Sequence, residues 1–588
     1  MNFRKSLLLL LLSSAAPGIA HAQDVAQAPA TEQVAEEEVV DAPGGSAGDE
    51  VIDEEAIVIT GSRPRGSVNS DIKPEITLDA RDVRSFGANN IADLLEQLAP
   101  QTASAGGGPP VFLVNGRRVS GPREFQNFPS EAIERVEVFP EALALQYGYR
   151  ADQRVVNLVL RERFRSINVE VEGGIATQGG RETMETEVGL SRIRGDTQSQ
   201  FSLEYSRSAG LLESERGVVR SVSNSPYDLV GNIRSAARPT DAVPEPEIDP
   251  ALSALAGQTV TVAAVPAGAD QGVPTLGSFV AGANTINVTD IGHYRSLAGS
   301  SEELSGGGLI RRPLSDDINA SVSAQYKYTD SNGLQGLPSR TFTVPGSNPF
   351  SPFAGDIVLY RYFDDLGALE RDTKAHEGQV AIALNGDLSR WRWSFDARYN
   401  RDSRTILTDR SLDIGTLQDR ITAGDPSLNP FGALEGIALA PRQRAFEVSD
   451  VADAQAVFSG PLFAITAGDV RTSVRGGINR EGTRSESQFR TGEVAQSQAS
   501  VQGSLDVPIA SRRDDVLPFL GQLSANLNAE LEQRSSYGTL KTWGAGLNWN
   551  LFQPLSIVAS YTKEERAPSI EQLGEAVIVT PNVRTFDF

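Results

Sequence analysis

The chain has 588 residues, too many for one ordinary globular domain, and it has no cysteine, which excludes disulfides, thiolate metal sites and catalytic thiols. Its formal net charge of −23 argues against a nucleic-acid partner, because phosphate binding needs a basic protein face. Hydrophobic residues make up only 39%, with no apolar run long enough for a membrane helix after the first 20 residues, so a membrane-embedded chain of this composition would have to be a β-barrel.

Residues 1–22 predict an export signal. Arg4 and Lys5 provide a positive start, residues 7–12 are an unbroken leucine core, and Ala20-His21-Ala22 is a small-x-small cleavage site. A membrane anchor is the alternative, but the apolar run is short. We therefore expect the mature chain to begin at Gln23.

Residues 23–54 form an acidic leader rich in Ala, Pro and Gly, without an aromatic residue, and are predicted to be disordered. A short β-prone segment follows, consisting of Glu55, Ala56, Ile57, Val58, Ile59, Thr60 and Gly61. This segment could form an edge strand of the next domain, or it could be a strand offered to the sheet of a partner protein.

Residues 66–163 have the pattern of a small α/β domain. Asn89 and Asn90 can cap a helix whose apolar positions are Ile91, Leu94, Leu95 and Leu98, and Pro100 is expected to end it. Residues 111–114 predict a buried strand, and Asn115-Gly116 is a strong hairpin signal. A short turn at 129–132 and strands at 133–139 and 155–160 complete the domain.

From about residue 164 the sequence alternates between apolar and polar residues. Ile318, Ala320, Val322, Ala324 and Tyr326 share one face of a strand, for example, and the residues between them are polar. A soluble sandwich would bury the apolar face, whereas a membrane barrel would turn it toward lipid. Segment lengths of about 10–14 residues, aromatic residues near the segment ends and connections of alternating length favour the barrel.

We predict thirteen strands, near residues 166–174, 182–191, 197–207, 302–312, 317–329, 375–387, 390–402, 447–459, 467–483, 494–508, 519–534, 538–551 and 554–564. Short turns are expected at 194–196, 313–316 and Gly386-Asp387, and very long loops at about 208–301, 330–374 and 403–446. Outer-membrane barrels have short periplasmic turns and long outer loops, so the long loops should all lie outside the cell.

The strand count also predicts an incomplete barrel over residues 164–588. A closed bacterial barrel of this kind needs an even number of strands, and a domain of about 100 residues needs a wide one, such as the 22-stranded plugged type. We therefore expect a missing C-terminal part. Phe586 and Phe588 imitate a terminal aromatic signature, but Pro581 precedes them and no amphipathic strand leads to them.

In order along the chain, several motifs resemble those of TonB-dependent outer-membrane receptors. They are EAIVITG at 55–61, similar to a TonB box; IADLLEQLAP at 91–100, VFLVNGRRV at 111–119, AIERVEV at 132–138 and QYGYRADQRVVNLVL at 146–160, similar to plug segments; and RAPS at 566–569, similar to a late barrel loop. The residues after Val138 and the Asp152-Gln153-Arg154 tripeptide depart from the usual Gly-Pro and Gly-Gly, which indicates a divergent subgroup.

The resemblance implies active uptake in the outer membrane of a Gram-negative bacterium. A scarce or bulky ligand would bind outer loops and plug, and the C-terminal domain of TonB would pair with residues 55–61 in the periplasm and pull. Glu134, Arg135 and Glu137 could form ion pairs between plug and barrel wall, or they could be solvated plug surface. Arg117 and Arg118 could face an anionic ligand, but ordinary contacts inside the lumen are the stronger interpretation.

No catalytic constellation, cofactor motif or metal site is evident, so an enzyme is not expected. His293 and His376 lack partners at ligand spacing, and no Lys-Ser/Thr follows Gly106–Gly108 as a phosphate loop requires. The expected protein is a monomeric barrel in outer-membrane lipid that binds an unknown small ligand. A siderophore–iron complex is the foremost candidate; a saccharide, a vitamin or another nutrient is an alternative, and a passive porin-like or structural barrel is the alternative from another class.

Overall fold

The computed structural model describes residues 64–70, 72–104, 109–149, 153–218, 226–238, 245–488, 490–535, 537–552 and 555–567. The predicted export signal, leader and 55–61 segment lie outside these ranges, as do Phe586 and Phe588. Strands are numbered β1–β26 and helices α1–α5 along the chain. Among the described residues, no helix has both the length and the apolar character that a membrane crossing requires.

The N-terminal domain is one five-stranded sheet with three helices. Its sheet order is β1-β4-β5-β2-β3, in which β2 and β5 are parallel and the other neighbours antiparallel. The strands are β1 (Ile76–Asp79), β2 (Val111–Val114), β3 (Arg117–Arg118), β4 (Ile133–Phe139) and β5 (Val155–Leu160), and the helices are α1 (Ala80–Ser85), α2 (Ile91–Thr102) and α3 (Ala142–Gln146). The predicted strands at 111–114, 133–139 and 155–160 are confirmed, and α1 and α3 were not predicted.

Helix α2 begins as predicted and ends later than predicted. Asn90 caps it by accepting the Asp93 amide at 2.9 Å, and Ile91, Leu94 and Leu98 are fully buried. The expected end at Pro100 is wrong, because the helix continues to Thr102. A proline in the last turn leaves only one carbonyl without its amide donor, and the turn is otherwise bonded.

The Asn115-Gly116 hairpin is confirmed. Both residues have positive φ, 52° and 71°, as the tight turn between β2 and β3 requires. A Cβ atom added to Gly116 would lie 2.7 Å from the Ser67 carbonyl oxygen. Glycine is therefore needed here both for the backbone angle and for the close approach of the chain segment at 66–67.

Thirteen antiparallel strands form a single meandering sheet, which is the barrel wall, in the number that the sequence predicts. Among the described residues its two end strands, β6 and β26, do not pair with each other. The strands are β6 (Arg163–Gly174), β7 (Thr183–Arg194), β8 (Thr197–Ser208), β13 (Ser300–Pro313), β14 (Ile318–Leu334), β17 (Glu370–Leu388), β18 (Trp391–Thr408), β21 (Gln443–Ile465), β22 (Gly468–Glu486), β23 (Thr491–Ala510), β24 (Gln522–Arg534), β25 (Gly538–Phe552) and β26 (Leu555–Glu564).

The distribution of side chains on the wall is the reverse of that in a soluble protein, with apolar residues exposed and polar residues buried. On β14, Val322 and Tyr326 are 51% and 49% exposed, whereas Asn319 and Ser321 are 5% and 3% exposed. The same inversion recurs along the sheet, since many of its large apolar side chains lie on the outer face. Exposed apolar surface of this extent is stable only against lipid, so the alternation marks a membrane-spanning barrel wall rather than a sandwich.

Most turns on one edge of the wall are short, but one lies three residues from its predicted position. β17 and β18 are joined at Ser389-Arg390, so the prediction of a turn at Gly386-Asp387 is wrong. Gly386 instead lies in the strand opposite Trp393, where an added Cβ atom would come within 2.5 Å of the indole ring. This glycine serves aromatic packing rather than chain reversal.

The three long loops on the other edge fold together into one unit, here called the cap. Its core is shared by Ile233 and Phe279 of the first loop, Phe342 and Leu359 of the second, and Ile421 of the third, all fully buried. Its elements are β9 (Leu211–Leu212), β10 (Asn232–Ser235), α4 (Pro250–Ala256), β11 (Val262–Ala264), β12 (Ser296–Ala298), β15 (Ser339–Val344), β16 (Ile357–Tyr362), β19 (Leu412–Asp413), α5 (Leu417–Ala423) and β20 (Ala438–Leu439), with the four-stranded sheet β11-β10-β16-β15.

The N-terminal domain is seated on the inner face of the wall. Its apolar core, which contains Leu94, Phe128 and Leu158, continues into Ile193 of β7 and Leu309 of β13. These two wall residues lie on the inner face, where most neighbours are polar. The domain therefore occupies the lumen as a plug and has the position that the resemblance implies.

Candidate functional site

The part of the plug that meets the wall most intimately is the segment at residues 120–127, here called the apical segment. It follows the β2–β3 hairpin and contains a 3₁₀ turn at Pro122–Glu124. Phe125 is fully buried and anchors the segment to the plug core. The Glu124 carboxylate accepts the Ser120 amide at 2.6 Å, which closes the turn and fixes the position of the carboxylate.

Glu124 joins the apical segment to the wall through a buried ion pair. The Arg311 guanidinium of β13 donates to one carboxylate oxygen, and the Ser321 hydroxyl of β14 lies 3.3 Å from the other. Glu124 is only 2% exposed. Because both charges are out of water, each depends on the other, and removing one would leave a buried, uncompensated charge.

Arg118 makes the second buried connection. Its guanidinium donates to the Tyr147 carbonyl at 2.8 Å, stacks 4.3 Å from the Tyr149 ring and lies 4.0 Å from the Asp396 carboxylate of β18. Asn385 of β17 donates to the Arg118 carbonyl at 3.2 Å. Arg118 is only 5% exposed, so its side chain is committed to the contact between plug and wall.

The Tyr147-Gly148 pair lies where the plug touches the wall again. Arg392 of β18 donates to the Tyr147 hydroxyl at 2.6 Å, and that hydroxyl donates to the Gly116 carbonyl at 3.1 Å. Burial raises the pKa of Tyr147, so the phenol stays neutral. An added Cβ atom on Gly148 would lie 2.7 Å from Val457 of β21, so the backbone approaches the wall closely here.

A polar cavity of about 270 Å³ lies between the apical segment and the inner wall. The plug contributes Ser120, Gly121, Pro122 and Glu124, and the wall contributes chiefly Glu377, Gln379, Arg398, Asn400 and Asp402. A second cavity of about 110 Å³ is lined by Gln126 and Asn127 of the plug and by wall glutamines. Such surroundings offer hydrogen bonds in both directions and suit a polar ligand or ordered water.

The structure gives Glu134, Arg135 and Glu137 a role inside the plug. Arg135 pairs with Glu137 at 2.7 Å and Glu134 at 3.3 Å, and donates to the Arg65 carbonyl at 3.0 Å and the Ser67 hydroxyl at 2.9 Å. The ion pairs to the wall that the sequence suggested for these residues are made instead by Glu124 and Arg118.

Arg117 lies beside the wall as well. Its guanidinium contacts the side-chain oxygen of Asn319 on β14 once that amide is oriented to accept. Both Arg117 and Arg118 thus make the contacts inside the lumen that were the alternative to the ligand-facing hypothesis.

Arg65 is a connecting residue that sequence reasoning missed. Its guanidinium donates to the Leu160 carbonyl of the plug at 3.0 Å and to the Gly195 carbonyl of a short wall turn at 2.8 Å. It also lies 3.6 Å from Asp196. Its position just after residues 55–61 was the only available signal, because its partners are 95 and 130 residues away.

Glu124, Arg311 and Asp396 were also missed, since nothing in the local sequence marks them as partners. The ring of His376, which the sequence left without ligand partners, forms a hydrogen bond with the Tyr326 hydroxyl at 2.7 Å. Among the residues that the structure describes, no group of three His, Asp or Glu side chains is arranged to hold a metal ion.

No protein-family model and no curated protein matches the chain. Among solved structures, it is similar to the siderophore receptor PirA from Pseudomonas aeruginosa, at 12% identity, with 84% of this chain and 62% of that chain covered and a TM-score of 0.41. It is also similar to the ferric enterobactin receptor PfeA from the same organism, at 11% identity, 84% and 63% coverage and a TM-score of 0.40.

The receptor FpvA of Pseudomonas aeruginosa, solved with heterologous pyoverdines, gives 10% identity, 83% and 56% coverage and a TM-score of 0.38. The chain thus spans slightly less than two thirds of the length of these solved receptors. TM-scores near 0.4 are too low to assign a function, so the function is inferred from the chain's own geometry.

Proposed function

We propose that this chain is an outer-membrane receptor that takes up a scarce or bulky ligand by TonB-dependent, proton-motive-force-driven transport. The observation that supports it most is the plug itself: a folded domain fixed to the inner wall by the buried Glu124–Arg311 pair and by Arg118. A passive pore has no use for a folded domain across its lumen. A domain that is bound to the wall only by noncovalent contacts can be moved by an external pull.

Residues 55–61 are the proposed handle for that pull. In this hypothesis the segment adds as a strand to a sheet of the TonB C-terminal domain, where several backbone hydrogen bonds are loaded together. Among the described residues, the first side chain after the segment with contacts on both plug and wall is Arg65. A pull on the segment would therefore first strain the Arg65 contacts with Leu160 and Gly195, and then the Arg135 contacts with the Arg65 carbonyl and the Ser67 hydroxyl.

The proposed ligand is a siderophore–iron complex, with a saccharide, a vitamin or another nutrient as the alternatives. Ligand would enter past the cap and reach the polar cavity at the apical segment, where Gln379, Asn400 and Ser120 offer hydrogen bonds. Contact with the apical segment would be sensed at Glu124, which lines the cavity and also holds the wall.

Deleting residues 55–61 tests the energy coupling. Uptake of the ligand should be abolished while the protein remains in the outer membrane in normal amount. The matched control deletes seven residues of the leader, 30–36, and should leave uptake unchanged. Uptake that survives the 55–61 deletion would favour a passive barrel over a TonB-coupled receptor.

Growth of a strain lacking the gene tests the ligand class. The proposal predicts a growth defect on iron-limited medium that is relieved by the restored gene, and normal growth when single carbon sources are limiting. A defect confined to one carbon source would replace the siderophore–iron complex by a saccharide or related nutrient.

A further inference from the structure

The outer face of the wall carries an apolar groove of about 560 Å³ across β21–β24, here called the outer groove. Its floor is formed by small side chains, Ala452, Ala454 and Ala499, around the exposed Ile478. Polar lining occurs at one end, where Arg480, Ser497, Gln533 and Ser535 lie. The wall around it is largely apolar, so the groove opens directly into the bilayer.

The polar end of the groove lies on the side of the long loops, where exposed apolar residues of the outer face give way to charged ones. Tyr399, Ala452, Arg480 and Ser497 are successive partners in one row across the sheet, and along β22 the exposed apolar residues Val474 and Ile478 lie on the short-turn side of Arg480. The rows on the side of the short turns carry Phe395, Phe458 and other exposed apolar residues, whereas Arg401 and Asp450 lie on the side of the long loops. An interfacial tyrosine followed by charged residues is typical of the height of lipid headgroups.

Arg480 differs from the neighbouring arginine at this boundary. Arg401 is paired with Asp450 at 3.2 Å, and Asp450 also accepts the Tyr399 hydroxyl at 2.5 Å. Arg480 is exposed, and no salt bridge joins it to a carboxylate of the described chain. Its charge is therefore available at the end of an apolar groove, which is the complement of a lipid with an anionic headgroup and an acyl chain.

We propose that the outer groove binds a phosphate-bearing lipid of the membrane leaflet on the long-loop side. The acyl chain would lie over Ala454, Ala499 and Ile478, where small side chains leave room for it. The phosphate would accept hydrogen bonds from Arg480 and from the Ser497 hydroxyl. This site is on the opposite side of the wall from the plug and is independent of the transported ligand.

Retention of lipid by the purified protein tests the charged end. The full chain is reconstituted in nanodiscs that contain equal amounts of phosphatidylglycerol and phosphatidylcholine. It is then released from the nanodiscs, and native mass spectrometry measures how many molecules of each lipid stay bound. The protein should retain phosphatidylglycerol over phosphatidylcholine, and Arg480→Ala should lower that preference about fivefold, as expected for one cation near a lipid surface. Arg401→Ala, at the same boundary but in an existing ion pair, is the control and should retain the preference.

A second variant tests the apolar part without changing charge. Ala499→Phe fills the groove and should lower the number of retained lipids, whereas Ala529→Phe, on the outer face away from the groove, should not. The proposal is overturned if the unaltered protein retains no phosphatidylglycerol, if both arginine variants behave alike, or if Ala499→Phe retains lipid normally. The proposal would also be overturned if the unaltered protein were a dimer and Ala499→Phe made it monomeric. The occupant of the groove would then be a second copy of the chain.

Discussion

Glu124 illustrates how much a single buried charge can contribute to the contact between plug and wall. Exposed ion pairs contribute little because water screens them and side-chain entropy opposes them, whereas a buried carboxylate that loses its partner has no water to replace it. Glu124 and Arg311 are both nearly inaccessible, and Glu134 of the plug surface is about half exposed. The two carboxylates therefore offer a direct comparison.

Glu124→Ala should loosen the plug by roughly 3–5 kcal/mol, because Arg311 is left buried without its counter-charge. Since the natural chain has no cysteine, Ala132→Cys provides one buried reporter thiol, and its labelling rate measures plug opening. Glu134→Ala in the same background is the control, with an expected change below about 1 kcal/mol. Adding Arg311→Met to Glu124→Ala should restore part of the lost stability. Equal effects of Glu124→Ala and Glu134→Ala would contradict the assignment of Glu124 to a buried ion pair.

Asp425 in the cap provides a prediction of pH dependence. Hydrogen bonds from the Ser427 hydroxyl and amide, with Arg420 beside it, lower the pKa of Asp425 from 3.8 to about 2. A carboxyl with a lowered folded pKa stabilises the fold above its unfolded value, and this contribution is lost as pH falls from about 4 through 2. The turn after α5 should therefore stay intact to pH 4 and loosen below it.

A ¹³C NMR titration of the Asp425 carboxyl measures this directly. The midpoint should be near 2 in the natural chain and should move toward 3.8 in Ser427→Ala, because the largest stabilising contact is removed. An unchanged midpoint in Ser427→Ala would show that the serine does not set the pKa.

At the level of elements, Asn157 of β5 joins three segments of the plug. Its side-chain oxygen accepts the Gly116 amide of the hairpin at 2.8 Å, and its amide group donates to the Gly66 carbonyl at 2.9 Å and to Glu137 of β4 at 2.8 Å. Asn157 is fully buried. One side chain thus links the hairpin, β4 and the chain segment that leads out of the plug toward residues 55–61.

Asn157→Ala should destabilise the plug by roughly 2–4 kcal/mol, because buried amide and carbonyl groups lose their partner. The same reporter thiol at Ala132→Cys measures the change. The control is Asn127→Ala, an exposed asparagine of the apical segment, which should change stability by less than about 0.5 kcal/mol. A small effect of Asn157→Ala would mean that water replaces the lost hydrogen bonds.

At the level of the whole molecule, the cap joins the three long loops into one cooperative unit. Phe279 of the first loop contacts Phe353 of the second at 4.9 Å and Phe431 of the third at 6.1 Å between ring centroids. Gln418 of α5 in the third loop also pairs with the amide and carbonyl of Thr343 in the second. Loops that share a core cannot open one at a time.

Phe279→Ala should therefore increase hydrogen exchange in all three loops together, with a loss of about 3–5 kcal/mol of cap stability and no change in the wall strands. Phe519→Ala is the control, since Phe519 is 73% exposed and lies outside the cap. Faster exchange confined to the first loop would contradict a shared core.

The sequence by itself determined the wall strands, their number and the faces they present. Period-two alternation and turn residues are local properties, and each face of a strand then meets either lipid or lumen according to its polarity. The α2 cap at Asn90 and the Asn115-Gly116 turn were determined in the same way. Pro100 and Gly386 misled the prediction, since their effects depend on the last helical turn and on Trp393 across the strand pair.

Only the tertiary structure decided the contacts that form the candidate site and the cap. Glu124 and Arg311 are 187 residues apart, and the cap core unites three loops separated by wall strands. Such pairings depend on the register of the whole sheet and on how the plug is seated within it. Neither the ion pair nor the cap core leaves a periodic signal in the sequence. Whether these positions are buried, and which residue pairs with them, depends on elements that are distant along the chain.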